Sequence, residues 1–273
     1  MAEAQQQARE IPYVVAITEG VREALLEHPE SFAAGEDVGQ AGGGYGYYNG
    51  LQKEFGEDRV YDTPISEAGI VGLGVGAAAT GCRPIIDLMF MDFLGECMDE
   101  VANQLAKMRY MFGGHATLPV TMLTMAGAGA SLAAQHSQSL EAWLCHLPGL
   151  KVCMPSTPYD AKGMIISAAR DDNPVIVVLN KVSLAMMGDV PEGSYAIPLG
   201  EANIVRPGDN FTIIAMGRMV HEALAAAEQL KDVGINTEVI DPRTVLPLDL
   251  PTIIESVKKT HRVMIVHEAV RNG

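Results

Sequence analysis

The chain lacks any segment that would hold it to a membrane or to nucleic acid. No apolar run approaches the roughly 20 residues that a membrane-spanning helix requires, and the first residues, MAEAQQQAREIPY, lack the apolar core of a secretory signal. There is no tract rich in lysine or arginine, and 34 acidic side chains outnumber 19 basic ones, giving a net charge of −15 over 273 residues. We therefore expect neither nucleic acid nor a membrane as partner.

Cysteine is also scarce. The four cysteines, Cys82, Cys97, Cys145 and Cys153, form no C-x-x-C pair, which argues against a zinc site. With 48% hydrophobic residues, a chain of this length can bury a core without a disulfide framework. The composition excludes intrinsic disorder and predicts a cytoplasmic protein with reduced thiols.

Three familiar motifs are missing as well. The sequence contains no G-x-x-x-x-G-K-[ST] phosphate loop and no G-x-S-x-G nucleophile motif. Gly72, Gly74 and Gly76 lack the G-x-G-x-x-G spacing and lie in a predicted helix, so close helix packing is favoured over phosphate binding. These absences exclude a P-loop ATPase and remove the usual α/β-hydrolase nucleophile.

What the sequence does contain is an alternation of short apolar strands with helices. Strands that are apolar almost end to end, separated by helices, indicate a parallel sheet covered on both faces. The predicted strands are 31–34, 84–89, 119–124, 150–154 and 174–179, and the predicted helices are 18–26, 67–80, 93–111, 137–145 and 159–170.

The alternation stops at a loop rich in glycine and proline and then starts again. We predict a first domain at 1–187, a linker at 188–208 and a second, smaller α/β domain at 209–273. The second domain has predicted strands at 211–215, 236–240 and 262–266, and helices at 219–233 and 251–258. A parallel sheet seldom ends on a strand without a covering helix, so we expect this domain to be truncated.

Glu67 is the first candidate functional residue. It follows a strand that ends near residue 61 and opens the helix of small residues, which is where open α/β sheets bind their ligands. The alternative is a structural role, in which Ser66 caps the helix and Glu67 complements the helix dipole.

His136 and Phe93 are the next candidates. Ser137 or Ser139 can cap a helix, which would place His136 at the positive helix end, where a neutral imidazole suited to proton transfer is favoured. The alternative is a histidine in a surface cap. Phe93 follows the strand at 84–89 and can stack on a flat ring, or it belongs to the core.

Together these segments resemble the β subunits of the E1 component of 2-oxo acid dehydrogenase complexes. That family includes pyruvate, branched-chain 2-oxo acid and acetoin dehydrogenases, which use thiamine diphosphate. The resemblance implies an α/β fold in which a thiamine-diphosphate-binding pyrimidine domain with a parallel sheet precedes a partial transketolase C-terminal domain. The matching blocks include GEDVG (35–39), DTPISEAGIVG (62–72), GCRPIIDLMFMDF (81–93), AAQHSQSLEAW (133–143), PGLKVCMPSTPYDAKG (148–163) and EVIDPRT (238–244).

The resemblance also implies a role for each matching residue. Glu67 corresponds to the carboxylate that hydrogen-bonds the aminopyrimidine ring of the cofactor, and Glu36 to a second carboxylate of that pocket. Phe93 corresponds to the aromatic that packs on the pyrimidine, and His136 to the histidine that assists acyl transfer to lipoamide. A potassium site, mostly of main-chain oxygens, is implied at Val120, Ala168, Ala169, Asp171 and Asn173.

One part of the thiamine site is missing. Such enzymes hold the diphosphate and Mg²⁺ with a G-D-G motif and a later asparagine, and residues 208–210, GDN, do not fit. The resemblance therefore implies an E1 α subunit that holds both, a second β subunit in an α₂β₂ heterotetramer, and a lipoyl-bearing E2. The same absence disfavours the first alternative, a stand-alone transketolase-like enzyme. The joint occurrence of Glu36, Glu67, Phe93 and His136 argues against the second, a non-catalytic assembly module.

The substrate is less sharply defined. MRYMFGG (108–114) and PLGEANIV (198–205) are slightly closer to acetoin dehydrogenase than to pyruvate dehydrogenase, so acetoin or pyruvate or another 2-oxo acid is expected. Residues 180–187, NKVSLAMM, lack the aromatic that the family usually carries there. The family pattern therefore does not predict which contacts residues 180–187 make.

Overall fold

The computed structural model describes residues 8–272. Residues 1–7 and 273, which include both outer limits of the predicted domains and most of the segment compared with a secretory signal, lie outside this range. The strands are β1 (Ala8–Pro12), β2 (Ser31–Gly35), β3 (Val60–Asp62), β4 (Arg83–Phe90), β5 (Thr121–Ala126), β6 (Lys151–Cys153), β7 (Val175–Asn180), β8 (Met187–Pro191), β9 (Asn203–Arg206), β10 (Phe211–Ala215), β11 (Thr237–Asp241), β12 (Thr244–Leu246) and β13 (Val263–Val266). The α-helices are α1 (Tyr13–Glu27), α2 (Leu51–Phe55), α3 (Glu67–Ala79), α4 (Met108–Met111), α5 (Glu141–Cys145), α6 (Pro158–Arg170), α7 (Met219–Asp232) and α8 (Leu250–Thr260).

The largest sheet has seven strands in the order β12-β6-β7-β5-β4-β2-β3. All neighbouring pairs are parallel except β12 with β6, so the predicted parallel sheet is confirmed. A second sheet of four strands has the order β13-β10-β11-β9, and β1 pairs with β8 in a two-stranded ribbon. Strand β12 comes from the second half of the chain and closes one edge of the large sheet.

Successive residues of the large sheet alternate between two hydrophobic clusters, one on each face. Ile85 and Leu123 belong to the cluster that includes residues of α1 and α6, whereas Ile86 and Met122 belong to the cluster that includes residues of α3. Helix α3 lies close to the sheet at Gly74, where an added Cβ would be only 3.1 Å from the Ile86 side chain. Glycine permits this close approach because it has no Cβ. The packing role predicted for the small residues is thus confirmed at Gly74.

The single helix predicted at 93–111 is wrong. The chain instead forms a 3₁₀ helix at Met91–Cys97, a π-helical stretch at Glu100–Leu105, and then α4. Buried side chains come first every three residues and then every four, and a repeat of three matches a 3₁₀ helix better than an α-helix. These side chains are Met91, Leu94, Cys97, Val101 and Leu105.

Residues 188–208, predicted as a linker, contribute to two strands. Most of β8 lies in this segment and pairs with β1, and β9 pairs with β11. Both pairings are antiparallel and lie at sheet edges, where a strand needs no continuous apolar run, so the sequence pattern does not reveal them. The domain division itself stays a prediction. Within the described part of the chain, no helix is long and apolar enough to cross a bilayer.

Asp87 is an acidic residue inside the large sheet. It lies in β4, is 4% exposed, and its Oδ1 accepts the Met89 N–H at 2.6 Å. Burial raises the pKa of Asp87 from an ordinary 3.8 to about 6, and the hydroxyls of Tyr47 and Tyr48 offset this only partly. Because the pKa is higher in the folded state, this group favours folding most at low pH, and its contribution is lost as pH rises through about 6.

Replacing Asp87 by asparagine should remove this pH dependence. Between about pH 5 and pH 8, the free energy of unfolding of Asp87→Asn should gain about 1 kcal/mol relative to the parent chain. Urea unfolding at both pH values measures this difference, and Asp58→Asn, at an exposed position, is the matched control. If the two variants shift equally, Asp87 does not titrate as described.

Candidate active site

The carboxyl ends of the parallel strands bring four of the predicted site residues to one edge of the large sheet. Glu36 directly follows β2, and Glu67 is the first residue of α3, which follows β3. Phe93 lies just after β4, and His136 lies in the loop after β5. Since β2, β3, β4 and β5 run parallel, the four loops open on the same side, where such sheets bind ligands.

Glu36 and Glu67 form a pair of neighbouring carboxylates. Glu67 is half-buried, and within the described residues its carboxylate has no hydrogen-bond or ion-pair partner. The Ser66 side chain makes no capping bond, so that part of the structural alternative is wrong, whereas Glu67 does lie in the first turn of α3, where it complements the helix dipole. Burial, and then the charges of Asp37 and Glu67, raise the pKa of Glu36. Unpaired acidic groups of this kind are suited to a ligand that donates hydrogen bonds.

His136 and Phe93 lie together in an aromatic cluster. The imidazole packs edge-on against Phe90, with ring centroids 4.5 Å apart, and against Phe93 at 5.4 Å. Phe90 and Phe93 are themselves 5.5 Å apart. Phe93 is only partly buried, so its ring both packs on the core and borders the site.

The helix predicted to begin just after His136 is wrong at this end. A short 3₁₀ turn ends at His136, and α5 begins only at Glu141. The Asp92 carboxylate explains this, because its Oδ1 accepts the N–H groups of Ser137 and Gln138, each at 3.1 Å. Neither serine acts as a helix cap, and the helix-dipole argument does not apply to this histidine.

Lys181 is a site residue that the sequence analysis missed. It follows β7, is 5% exposed, and its ammonium group donates to the carbonyls of Gly127, at 2.8 Å, and His136. The ammonium also lies 5.2 Å from the centre of the Phe90 ring. Burial lowers the pKa of Lys181, and the charges of Asp92 and Glu268 oppose that shift. The available signal was a lysine directly after an apolar strand at this edge.

A residue near the C-terminal end of the chain also lies at this edge. Glu268, which follows β13, accepts a hydrogen bond from the Asn180 side chain at 2.7 Å. A Cβ added at Gly127 would lie 2.8 Å from both of these side chains, and Gly127 has φ of +91°. Glycine is therefore required here both for its backbone conformation and for the close approach.

The residues of the predicted potassium site lie at the opposite, amino edge of the sheet, where β4 and β7 begin. The carbonyls of Ala169 and Asp171 accept from Arg83 at 3.0 and 3.2 Å. Burial alone would raise the pKa of Asp171, but bonds from Lys151 and Asn173 outweigh burial and lower it.

The three remaining ligands are likewise engaged, and the Asn173 side-chain oxygen accepts from Arg109 at 2.7 Å. The Val120 carbonyl accepts the Val175 N–H at 2.9 Å, and the Ala168 carbonyl accepts the Asp171 N–H at 3.2 Å. Every predicted ligand therefore has an internal donor, and Asp171 already has a cationic partner in Lys151. These contacts give a potassium ion no support, and the site stays a prediction. No cluster of three or more His, Cys, Asp or Glu side chains suited to a metal occurs among residues 8–272.

A mostly parallel seven-stranded sheet, with two carboxylates, an aromatic and a histidine at its carboxyl edge, and a second sheet of four strands place this chain in the class of α/β proteins. The chain belongs to the transketolase family. Residues 9–186 match the transketolase pyrimidine binding domain, and residues 200–273 match the transketolase C-terminal domain.

Its relatives include subunits of bacterial dehydrogenases. The chain is 49% identical to the acetoin:2,6-dichlorophenolindophenol oxidoreductase subunit beta of Cupriavidus necator, over 96% of this chain and 80% of that protein. It is 47% identical to the pyruvate dehydrogenase E1 component subunit beta of Bacillus subtilis, over 95% and 80%. Among solved structures, a split gene transketolase described as an inactive beta4 tetramer has a TM-score of 0.79 at 22% identity, covering 95% of this chain and 80% of that one.

Two glycines in the loop before His136 test the contact with the second half of the chain. Both Gly127 and Gly129 have positive φ, but a Cβ at Gly129 meets only Val182 at 3.6 Å. Gly129→Ala should lower the free energy of unfolding by about 1 kcal/mol, and Gly127→Ala by about 2 kcal/mol or more, because it also displaces Asn180 and Glu268. Urea unfolding measures both, and equal losses would contradict the described contact.

Proposed function

We propose that this chain is the β subunit of a thiamine diphosphate-dependent E1 enzyme, an oxidoreductase that is active only with an α subunit. The observation that carries the proposal is the unpartnered Glu67 carboxylate beside Glu36, at the same sheet edge as Phe93 and His136. This arrangement occurs in a chain that is 47 to 49% identical to named beta subunits of acetoin and pyruvate dehydrogenases.

The residues present fit the aminopyrimidine half of thiamine diphosphate. That half offers ring nitrogens and an amino group, which suit two acidic side chains, and a flat ring, which suits Phe93. Asp92 Oδ2 is buried at this edge without a hydrogen-bond partner among the described residues, and offers a further acceptor. When bound, the cofactor supplies the carbanion chemistry that no amino-acid side chain can provide.

The chain's own residues would then bind, orient and exchange protons. Glu67 would accept or share a proton at the pyrimidine ring nitrogen. Glu36 would add a second carboxylate to that region of the pocket. Phe93 would fix the plane of the ring. His136, which lies against Phe90 and Phe93, would hold or deliver a proton at the reacting oxygen or sulfur of the substrate side.

The diphosphate half of the cofactor finds no matching motif in the sequence. No G-D-G motif is present, and the described residues offer no metal-binding acidic cluster. We therefore assign Mg²⁺ and the diphosphate to an E1 α subunit, in an α₂β₂ heterotetramer with a second β subunit. A lipoyl-bearing E2 would receive the acyl group, and the assembly would be cytoplasmic.

For the substrate, acetoin is favoured over pyruvate and other 2-oxo acids by the somewhat higher identity to the acetoin-type subunits. Two alternatives are a stand-alone transketolase-like enzyme and a non-catalytic assembly module. The missing diphosphate motif argues against a stand-alone enzyme. The unpartnered carboxylates of Glu36 and Glu67 at the ligand edge argue against a non-catalytic module. Assays on acetoin, pyruvate and 2-oxoisovalerate would separate the substrates.

Glu67→Gln should abolish turnover without preventing assembly. A neutral amide cannot take the proton that the carboxylate shares with the ring nitrogen, so activity should fall by about 10²-fold or more. Hydrogen–deuterium exchange at the thiazolium carbon, in the complex with the α subunit, measures the affected step. Glu96→Gln, at an exposed position, is the control, and exchange at the parent rate in Glu67→Gln would reduce Glu67 to a structural residue.

The isolated chain should bind thiamine diphosphate weakly and turn nothing over. Only the α subunit carries the diphosphate and Mg²⁺ ligands in this proposal, so its addition should restore tight, Mg²⁺-dependent binding and activity. Isothermal titration calorimetry of the chain alone and of the mixture measures both states. Tight Mg²⁺-dependent binding by the isolated chain would contradict the split site and favour the stand-alone enzyme.

A further inference from the structure

The loop that carries His136 is held in an unfavourable backbone conformation. It runs from Gly127 to His136, and most of its residues are exposed. Besides its glycines, Ser131 and Ala133 have φ of +56° and +60°. Side chains other than glycine rarely adopt this region, so the loop keeps its shape only if contacts outside it impose that shape.

Lys181 makes such contacts at both ends of the loop. Its ammonium group donates to the carbonyl of Gly127, the first loop residue, at 2.8 Å, and to the carbonyl of His136, the last. One buried cation thus joins the two ends. Hydrogen bonds from a charged donor in a buried setting are stronger than neutral ones, because water does not compete for the acceptor.

The ammonium group is itself held from several sides. It lies 5.2 Å from the Phe90 ring centre, and Phe90 in turn packs against the His136 ring at 4.5 Å. The carboxylates of Asp92 and Glu268 supply the neighbouring negative charge. Asp92 also fixes the backbone just after His136, so the same groups that balance the lysine hold the loop end.

We propose that Lys181 is a positioning residue, which ties the two ends of the Gly127–His136 loop together and so holds the His136 imidazole against Phe90 and Phe93. It acts through main-chain carbonyls and need not touch substrate or cofactor. The kinetic part of the inference rests on the proposed function, whereas the conformational part does not.

Lys181→Met tests the conformational part in the isolated full chain. It removes the cation while keeping most of the apolar stem, so the amides of Gly127, Ser137 and Gln138 should exchange with deuterium about tenfold faster or more. Lys162→Met is the matched control, because Lys162 is 1% exposed, pairs with Glu19 and donates to the Pro191 carbonyl, away from this loop. Equal exchange in the loops of the two variants would overturn the proposal.

Lys181→Gln is the second variant and keeps the test decisive if the methionine variant does not fold. Its amide keeps N–H donors without the charge, so loop exchange should again exceed that of Lys162→Met, but by a smaller factor. Loop exchange no faster than in Lys162→Met would overturn the proposal in this variant as well.

The complex with the α subunit tests the kinetic part. Acyl transfer to a lipoyl domain should fall by about tenfold or more in the Lys181 variants, while the affinity for thiamine diphosphate changes by less than about twofold. Loss of cofactor affinity with the loop unaltered would make Lys181 a general stability residue. If the parent complex is inactive, the proposed function fails, and the exchange result still decides the role of Lys181.

Discussion

The parallel pairing of β2, β3, β4, β5 and β7 is the constraint on which the candidate site depends. Parallel strands put all their carboxyl ends at one edge, so residues far apart in the sequence emerge side by side. Each strand contributes through the few residues that follow it. An antiparallel neighbour in the middle of this sheet would send its loop to the other edge and remove one side chain from the group.

The arrangement of charged side chains is the second constraint on this edge of the sheet. The carboxylates of Glu36, Glu67 and Asp92 gather there, and Lys181 is the buried cation described among them. The positive charge of Lys181 and the negative charge of Asp92 balance each other. Both side chains hydrogen-bond to backbone groups in or next to the loop that carries His136. Glu36 and Glu67 have no such partner, which leaves them able to bind a cationic or hydrogen-bond-donating ring.

Residues 200–273 contact the part of the chain that forms the large sheet at several places. Strand β12 extends the large sheet, Glu268 reaches the Asn180 side chain, and Arg243 pairs with the buried Asp160 at 2.8 Å. The Ser156 hydroxyl donates to Asp241, whose pKa burial raises to about 7. The Glu268 and Asn180 side chains both lie beside Gly127, so the position of the residues after β13 bears on the loop that carries His136.

Local pattern was sufficient to predict much of the fold and part of the site. Near-continuous apolar strands alternating with helices predict a parallel sheet, because helices cover such a sheet on both faces. Glu67 at a helix start places a carboxylate at the ligand edge of that sheet. Tertiary structure alone decided the rest. The late start of α5 and the role of Lys181 depend on partners distant in sequence, which are Asp92 and Gly127. A hydrogen bond formed across the fold leaves no periodicity in the sequence, and that is why it could not be read there.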